Sequence, residues 1–368
     1  QGGLEELIPA EACTAMGFSS LDAALRYIHR PPVGTAAADL QAGSHPALRR
    51  LAFEELLAHQ VALRRLREKV LAERAWPLPG PGRRVRDFIA RLPFVLTAAQ
   101  QRVLGEVSAD MSTAAPMLRL VQGDVGSGKT VIAAAAAVQA VEAGAQAAVM
   151  APTELLAEQH HRSLRAWLEP LGIQVAWLAS RLPAAARRDA LDALASGAAG
   201  VAVGTHALFQ EGVVFDRLAL AIIDEQHRFG VHQRLALSEK GTSGAHRPHQ
   251  LIMTATPIPR TLAMATYADL DTSIIDELPP GRGSVQTVVL PESRRVEVIE
   301  RIREACALGR QAYWVCPLVE ESAALEARAA EETSKGLAAA LPELRVGLVH
   351  GRLRPAEKEA AMNAFATG

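Results

Sequence analysis

Residues 123–130 read Gly-Asp-Val-Gly-Ser-Gly-Lys-Thr, directly after the apolar run Leu118–Val121 and directly before an alanine-rich stretch of helical character. Few strings restrict a fold as tightly. The pattern Gly-x4-Gly-Lys-Thr needs a strand before it and a helix after it, because only that bend lets consecutive backbone N–H groups converge on one anion. Gly123, Gly126 and Gly128 supply backbone angles that other residues resist. Asp124, Val125 and Ser127 fill the bend. The helix N-terminus adds its positive dipole end. In such a cradle Lys129 neutralises the β- and γ-phosphates and Thr130 ligates magnesium.

A second motif completes the first. Leu218–Ile223 is too apolar for anything but a buried strand, and it ends in Asp224-Glu225-Gln226-His227. Carboxylates at the C-terminal end of such a strand lie where ligands bind in open α/β sheets. Asp224 is expected to hold magnesium through water, and Glu225 to orient and polarise an attacking water. Thr254-Ala255-Thr256 ends another apolar run, so its hydroxyls can reach either the water site or the sheet edge. Ala151-Pro152-Thr153 and Gly204-Thr205-His206 occupy the same position on their own strands. Thr153 and Thr205 are therefore either helix caps or contacts to a polynucleotide backbone. Gln100, upstream of the cradle, is either a helix-surface amide or a reader of an adenine edge.

Short apolar runs alternate with helical ones from about residue 95 to 280: Ala147–Ala151, Val175–Leu178, Val201–Gly204 and Gln250–Thr254 join the two above. This predicts a parallel sheet covered on both faces. Residues 1 to about 92 look helical and connective, with a capped segment at Ser20–Ile28 and a longer helix over Leu48–Trp76. Pro279–Gly283 reads as a linker. After it Val285–Leu290, Ala312–Cys316 and Val346–Val349 read as strands between helices, about half of a second similar domain.

Net charge is −1, which makes no case for a polyanion partner of the whole chain. Between Arg49 and Arg102, however, twelve Lys or Arg stand against five Asp or Glu, either a solvated helix face or a nucleic-acid-facing surface. Cys13, Cys306 and Cys316 form no close pair and fit a reducing compartment. The richest apolar stretch, Val131–Met150, is broken by Gln139, Glu142, Gly144 and Gln146, so no membrane span is expected. No histidine or cysteine cluster has zinc-ligand spacing. The missing initiator methionine and the stop at Gly368 suggest a piece of a longer protein.

The order and wording of these motifs resemble superfamily 2 helicases, and in detail the RecG family. The resemblance rests on Gly123–Thr130, Asp224-Glu225-Gln226-His227-Arg228-Phe229-Gly230, Met253–Thr261, Ile275–Arg282, Ala312–Glu321, His350-Gly351-Arg352 and Phe53–Leu57, and covers nearly the whole chain. It implies an α/β fold: a helical connector (1–92), a RecA-like P-loop NTPase lobe (93–280) and a truncated second RecA-like lobe (284–368). It further implies ATP and Mg2+ as cofactors, with Gln100 on adenine, and His227 with Thr254–Thr256 linking nucleotide state to DNA. Thr153 and Thr205 would touch the DNA backbone. The implied activity is ATP-driven remodelling of branched DNA, at stalled forks and Holliday junctions, by a monomer in the bacterial cytoplasm. An oligonucleotide-binding wedge before residue 1 and arginine-bearing motifs after Gly368 are expected too. A transcription-repair-coupling-type translocase, a P-loop ATPase with another cargo, and a nucleotide-binding piece without turnover are the alternatives.

Overall fold

The computed structural model describes residues 4–33, 43–179, 182–210, 212–225, 246–256, 270–277, 285–316 and 323–367. The chain divides into two compact units, Gln1–Arg282 and Gly283–Gly368.

The first unit opens with α1 (Ala10–Ala15), α2 (Leu21–His29) and α3 (Pro46–Leu71). Helix α2 starts where the sequence says it should, because the Ser20 hydroxyl accepts the Ala23 N–H at 3.3 Å. Helix α3 stops five residues earlier than its apolar spacing suggests. Residues 72–78 instead run along the main body: the Ala75 N–H bonds the Ala114 carbonyl, the Leu78 N–H bonds that of Met111, and Trp76 stacks on His246. Three arginines of the basic stretch are committed to the fold. Arg50 is fully buried between Glu6 and Glu54, Arg67 pairs with Asp271, and Arg102 pairs with Asp276. At these positions the local positive excess has a structural use.

Helices α4 (Arg83–Ala90) and α5 (Ala98–Met111) lead into the sheet. There follow β1 (Leu118–Gly123), α6 (Lys129–Glu142), β2 (Gln146–Met150), α7 (Glu154–Leu168), β3 (Gln174–Leu178), α8 (Ala184–Ala195), β4 (Ala199–Gly204), β5 (Leu218–Asp224), β6 (His249–Thr254) and β7 (Asp271–Ile275). The sheet has seven strands in the order β3-β4-β2-β5-β6-β1-β7, every neighbouring pair parallel. Crossover helices between apolar runs lead to this arrangement, with apolar clusters on both faces.

The alanines of α6 carry packing weight. Ala133–Ala137 are all buried, and their small side chains let the helix lie deep against the sheet. Two glutamines that break this apolar stretch act as buried staples. Gln139 donates to the Leu78 carbonyl at 2.7 Å, and Gln146 donates to those of Leu194 and Ala199. Strand β7 was not among the expected strands. Its Asp-Thr-Ser start gives it no apolar run, and it is an edge strand tied in by register with β1 and by Arg119, whose guanidinium donates to the Ser273 hydroxyl at 2.7 Å.

The second unit contains α9 (Arg295–Ala307), α10 (Ala323–Ala340) and α11 (Pro355–Thr367), where helices were expected. The runs read as strands, 285–290, 312–316 and 346–349, form no ladder among the described residues. Val289 is 93% exposed and Val315 79% exposed. β-branched composition favours an extended chain, but a strand exists only through the N–H and C=O groups of a neighbour. No described helix is long and apolar enough to cross a membrane. Cys13 is buried and Cys306 and Cys316 half-buried, all free.

Candidate nucleotide site at the strand ends

Strand β1 delivers the chain into the glycine-rich bend at Gly123. Gly126 (φ 78°) and Gly128 (φ 90°) occupy the left-handed region that β-carbons disfavour. Inside the bend the Ser127 N–H bonds the Asp124 carbonyl at 3.0 Å, and the Val125 N–H bonds Asp124 Oδ1 at 2.7 Å. Helix α6 then begins at Lys129, so its free N–H groups and dipole end face the bend.

Gln100 holds the back of the cradle. Its Nε2 donates to the Ser127 carbonyl at 2.8 Å. Its Oε1 accepts the Thr97 N–H at 2.9 Å, half of a capping box that starts α5. The side chain is buried, with both ends of the amide bound to the protein itself. The helix-surface reading is therefore wrong for this position. Reading an adenine edge would require the amide to exchange these two bonds for the base.

The Lys129 ammonium folds over the bend and donates to the carbonyls of Gly123 (2.6 Å) and Asp124 (3.0 Å). Burial lowers its pKa, while the nearby carboxylates of Asp224, Glu225 and Asp124 act to raise it. The lysine thus feels both acidic residues of the second motif. A desolvated cation favours anionic company. The Ser127 hydroxyl is fully buried and has no hydrogen-bond partner. An orphaned donor, a half-buried ammonium and a free helix N-terminus fit a polyphosphate as ligand.

Strands β5, β6 and β1 are consecutive in the sheet, so the acidic pair, Thr254 and the cradle emerge side by side. Asp224 is buried, and its Oδ2 lies 2.7 Å from Nε2 of His160 on α7. Glu225 adopts φ 50°, the only non-glycine positive φ among the described residues. Such backbone persists where surroundings hold it in place, and it clusters at functional sites. Here the Glu225 N–H bonds the Met253 carbonyl at 2.9 Å. Its carboxylate accepts the Ala255 N–H at 3.0 Å and the Thr254 hydroxyl at 3.3 Å. Thr254 in turn bonds the Thr256 hydroxyl at 2.7 Å, and Gln122 of β1 donates to the Thr256 carbonyl at 3.3 Å. One polar network therefore joins the ends of all three strands. His227 and residues 257–261 lie outside the described residues.

The two threonines named for a polynucleotide part company. Thr153 is exposed at the N-terminus of α7, and its hydroxyl accepts the Leu156 N–H at 3.3 Å as a helix cap. Thr205 is only 3% exposed, and its hydroxyl is buried without a partner. Its hydroxyl is therefore not presented at the surface, where a phosphate backbone would meet it. Sequence reasoning missed His160. Its signal is positional: Ala157, His160, Leu164 and Leu168 form the buried stripe of α7, and a histidine there needs a partner.

The DEAD/DEAH box helicase family matches residues 97–265. The ATP-dependent DNA helicase RecG of Escherichia coli O157:H7 is 58% identical over 366 residues, covering 99% of this chain and 52% of that protein. The same-named protein of Synechocystis sp. is 45% identical, covering 98% of this chain and 42% of the relative. A solved structure of RecG bound to a three-way DNA junction superposes with a TM-score of 0.77 at 38% identity, covering 100% of this chain and 47% of that one. The chain thus spans about half the length of the curated relatives it matches.

Proposed function

Because the chain belongs to the RecG family of superfamily 2 helicases, we propose that it is the ATP-driven motor portion of a helicase that remodels branched DNA in repair and recombination. Residues 1–92 serve as a connector, 93–280 as the ATP-binding lobe and 284–368 as part of a second RecA-like lobe. The observation that carries this reading is the Lys129 ammonium resting on the cradle within the field of Asp224 and Glu225, motifs far apart in sequence.

The division of labour follows from the contacts. The backbone of Gly123–Thr130 would take the phosphates, with Lys129 exchanging its two carbonyl partners for phosphate oxygens. Thr130 and Asp224 would hold the magnesium, whose charge offsets that building up on the transferring phosphoryl group. Glu225, its carboxylate fixed by the Ala255 N–H and the Thr254 hydroxyl, would orient and polarise the attacking water. Thr254–Thr256 share that network, and with His227 they would relay the state of the site toward DNA. Thr153, at the rim, is the stronger of the two threonines for a backbone contact, and sequence-independent, salt-sensitive binding would follow. Action in the bacterial cytoplasm fits the bacterial relatives.

The test is ATP turnover by the full-length parent with and without three-way-junction DNA, beside the Lys129→Ala variant. Junction-stimulated turnover is expected, together with ATP affinity in the variant at least tenfold weaker by calorimetry. Turnover indifferent to DNA would sink the helicase reading, and unchanged affinity would remove the cradle from ATP binding.

A further inference from the structure

His160 lies on the buried face of α7, outside every motif that carries the nucleotide site, yet it makes the one side-chain hydrogen bond of Asp224 among the described residues. We propose that His160 is a positioning residue for magnesium: its Nε2–H fixes one oxygen of the Asp224 carboxylate so that the other is presented to the metal.

A carboxylate only accepts, so the imidazole must donate, and Nε2 is the nitrogen that faces Oδ2 at 2.7 Å. Both side chains are nearly buried, at 11% and 12% exposure, so water does not compete for the bond. A carboxylate at a strand terminus rotates freely about its last torsion unless something holds it. On β5 the backbone ends at Asp224 and turns at once into the left-handed Glu225, which leaves α7 as the element holding that side chain. The packing requires no histidine here: the neighbouring stripe positions are Ala157 and Leu164, and an apolar residue would fill the site without a buried polar atom. Groups in this position, bonded to a metal ligand but not to the metal, typically change metal affinity or activity 10–100-fold when removed.

The inference rests on Asp224 being a magnesium ligand, and the experiment separates the two ideas. Binding of a fluorescent ATP analogue to this chain is titrated with Mg2+ for the unsubstituted chain, His160→Leu and His160→Gln. The leucine variant should need about 10–100-fold more Mg2+ for half-maximal binding, with metal-free nucleotide affinity unchanged. Glutamine, which returns an N–H donor at similar reach, should recover part of the difference; a merely structural histidine would shift the melting temperature and leave the metal requirement alone. Equal Mg2+ requirements for all three chains overturn the role of His160 while Asp224 stands. If the unsubstituted chain itself shows no Mg2+ dependence, Asp224 is not the ligand and both readings fall. Should His160→Leu not fold, the histidine 15N spectrum of the unsubstituted chain decides. The His160 Nε2–H resonance must be present without metal and must shift when Mg2+ and nucleotide are added; a resonance that stays in place overturns the proposal.

Discussion

Gly128 carries two constraints at once. Its φ of 90° strains any residue with a β-carbon, and a β-carbon there would stand 2.3 Å from Gln100 Nε2. That amide is pinned at both ends, so it cannot swing clear cheaply. Gly128→Ala should therefore cost about 1–3 kcal/mol of stability and loosen the cradle, read as a lower melting temperature and weaker nucleotide binding. Gly105 is the contrast: it lies in α5 with nothing within 4 Å of the added carbon. Gly105→Ala should stabilise by about 0.5–1 kcal/mol, and a loss of stability there would contradict the described helix. Glu225→Gln keeps the shape of the side chain and removes its charge. Nucleotide binding should persist while turnover of the full-length enzyme falls by about 10²-fold or more; wild-type turnover would take Glu225 out of the water-activating role. The glycines, Lys129 and the acidic pair were legible because their chemistry depends on adjacent residues in a fixed string. His160 was not, because it meets Asp224 from 64 residues away on a crossover helix, and spacing along the chain holds no trace of that meeting. Gln100 was half legible: its amide was singled out, but not its bond to the cradle.

Arg50 shows how one side chain organises several elements. Its guanidinium is fully buried and joins Glu54 on its own helix to Glu6 ahead of α1, while the other Glu6 oxygen accepts the Leu21 N–H that opens α2. Arg50→Met should destabilise the N-terminal helices by about 3 kcal/mol, the low end for breaking a buried pair because both glutamates stay partly hydrated. Hydrogen exchange should quicken in α1–α3 and leave β1–β6 protected; uniform quickening would refute this local role. Elements with a strong period were legible: α2 with its serine cap, the buried strands β2, β5 and β6, and the long α3. Misjudged elements owe their state to neighbours. The end of α3 yields to backbone bonds with Ala114 and Met111, and β7 exists through its ladder to β1. The valine-rich runs of the second unit have the composition of strands and no ladder.

At the scale of the whole first unit, His249 is a proton-sensitive joint. Its Nδ1 accepts the Met117 N–H at 3.0 Å and its Nε2 donates to the Trp76 carbonyl at 2.9 Å, so the neutral ring links β6, the approach to β1 and the segment after α3. Burial lowers its pKa, against smaller opposing effects of the Trp76 carbonyl and Asp110. The unfolded chain then binds the proton more readily than the folded one. The stabilisation is complete above the ordinary histidine value near 6.5 and is lost as pH falls below it toward the lowered folded value. One proton bounds the slope of that limb at about 1.4 kcal/mol per pH unit. Melting temperatures from pH 8 to 5 should fall along that limb, and His249→Gln should flatten it; an undiminished slope would assign the proton uptake elsewhere.

The same joint has a mechanical side. Arg67 grips Asp271 on β7, Trp76 lies flat on His246 just before β6, and the Trp76 carbonyl holds His249 within it. Those two strands flank β1, whose end becomes the glycine-rich bend. The N-terminal helices are therefore anchored, through α3 and the segment that follows it, to the strands on either side of β1. Whatever pulls on α3 would load β6 and β7 first, and through them the strand that runs between the two.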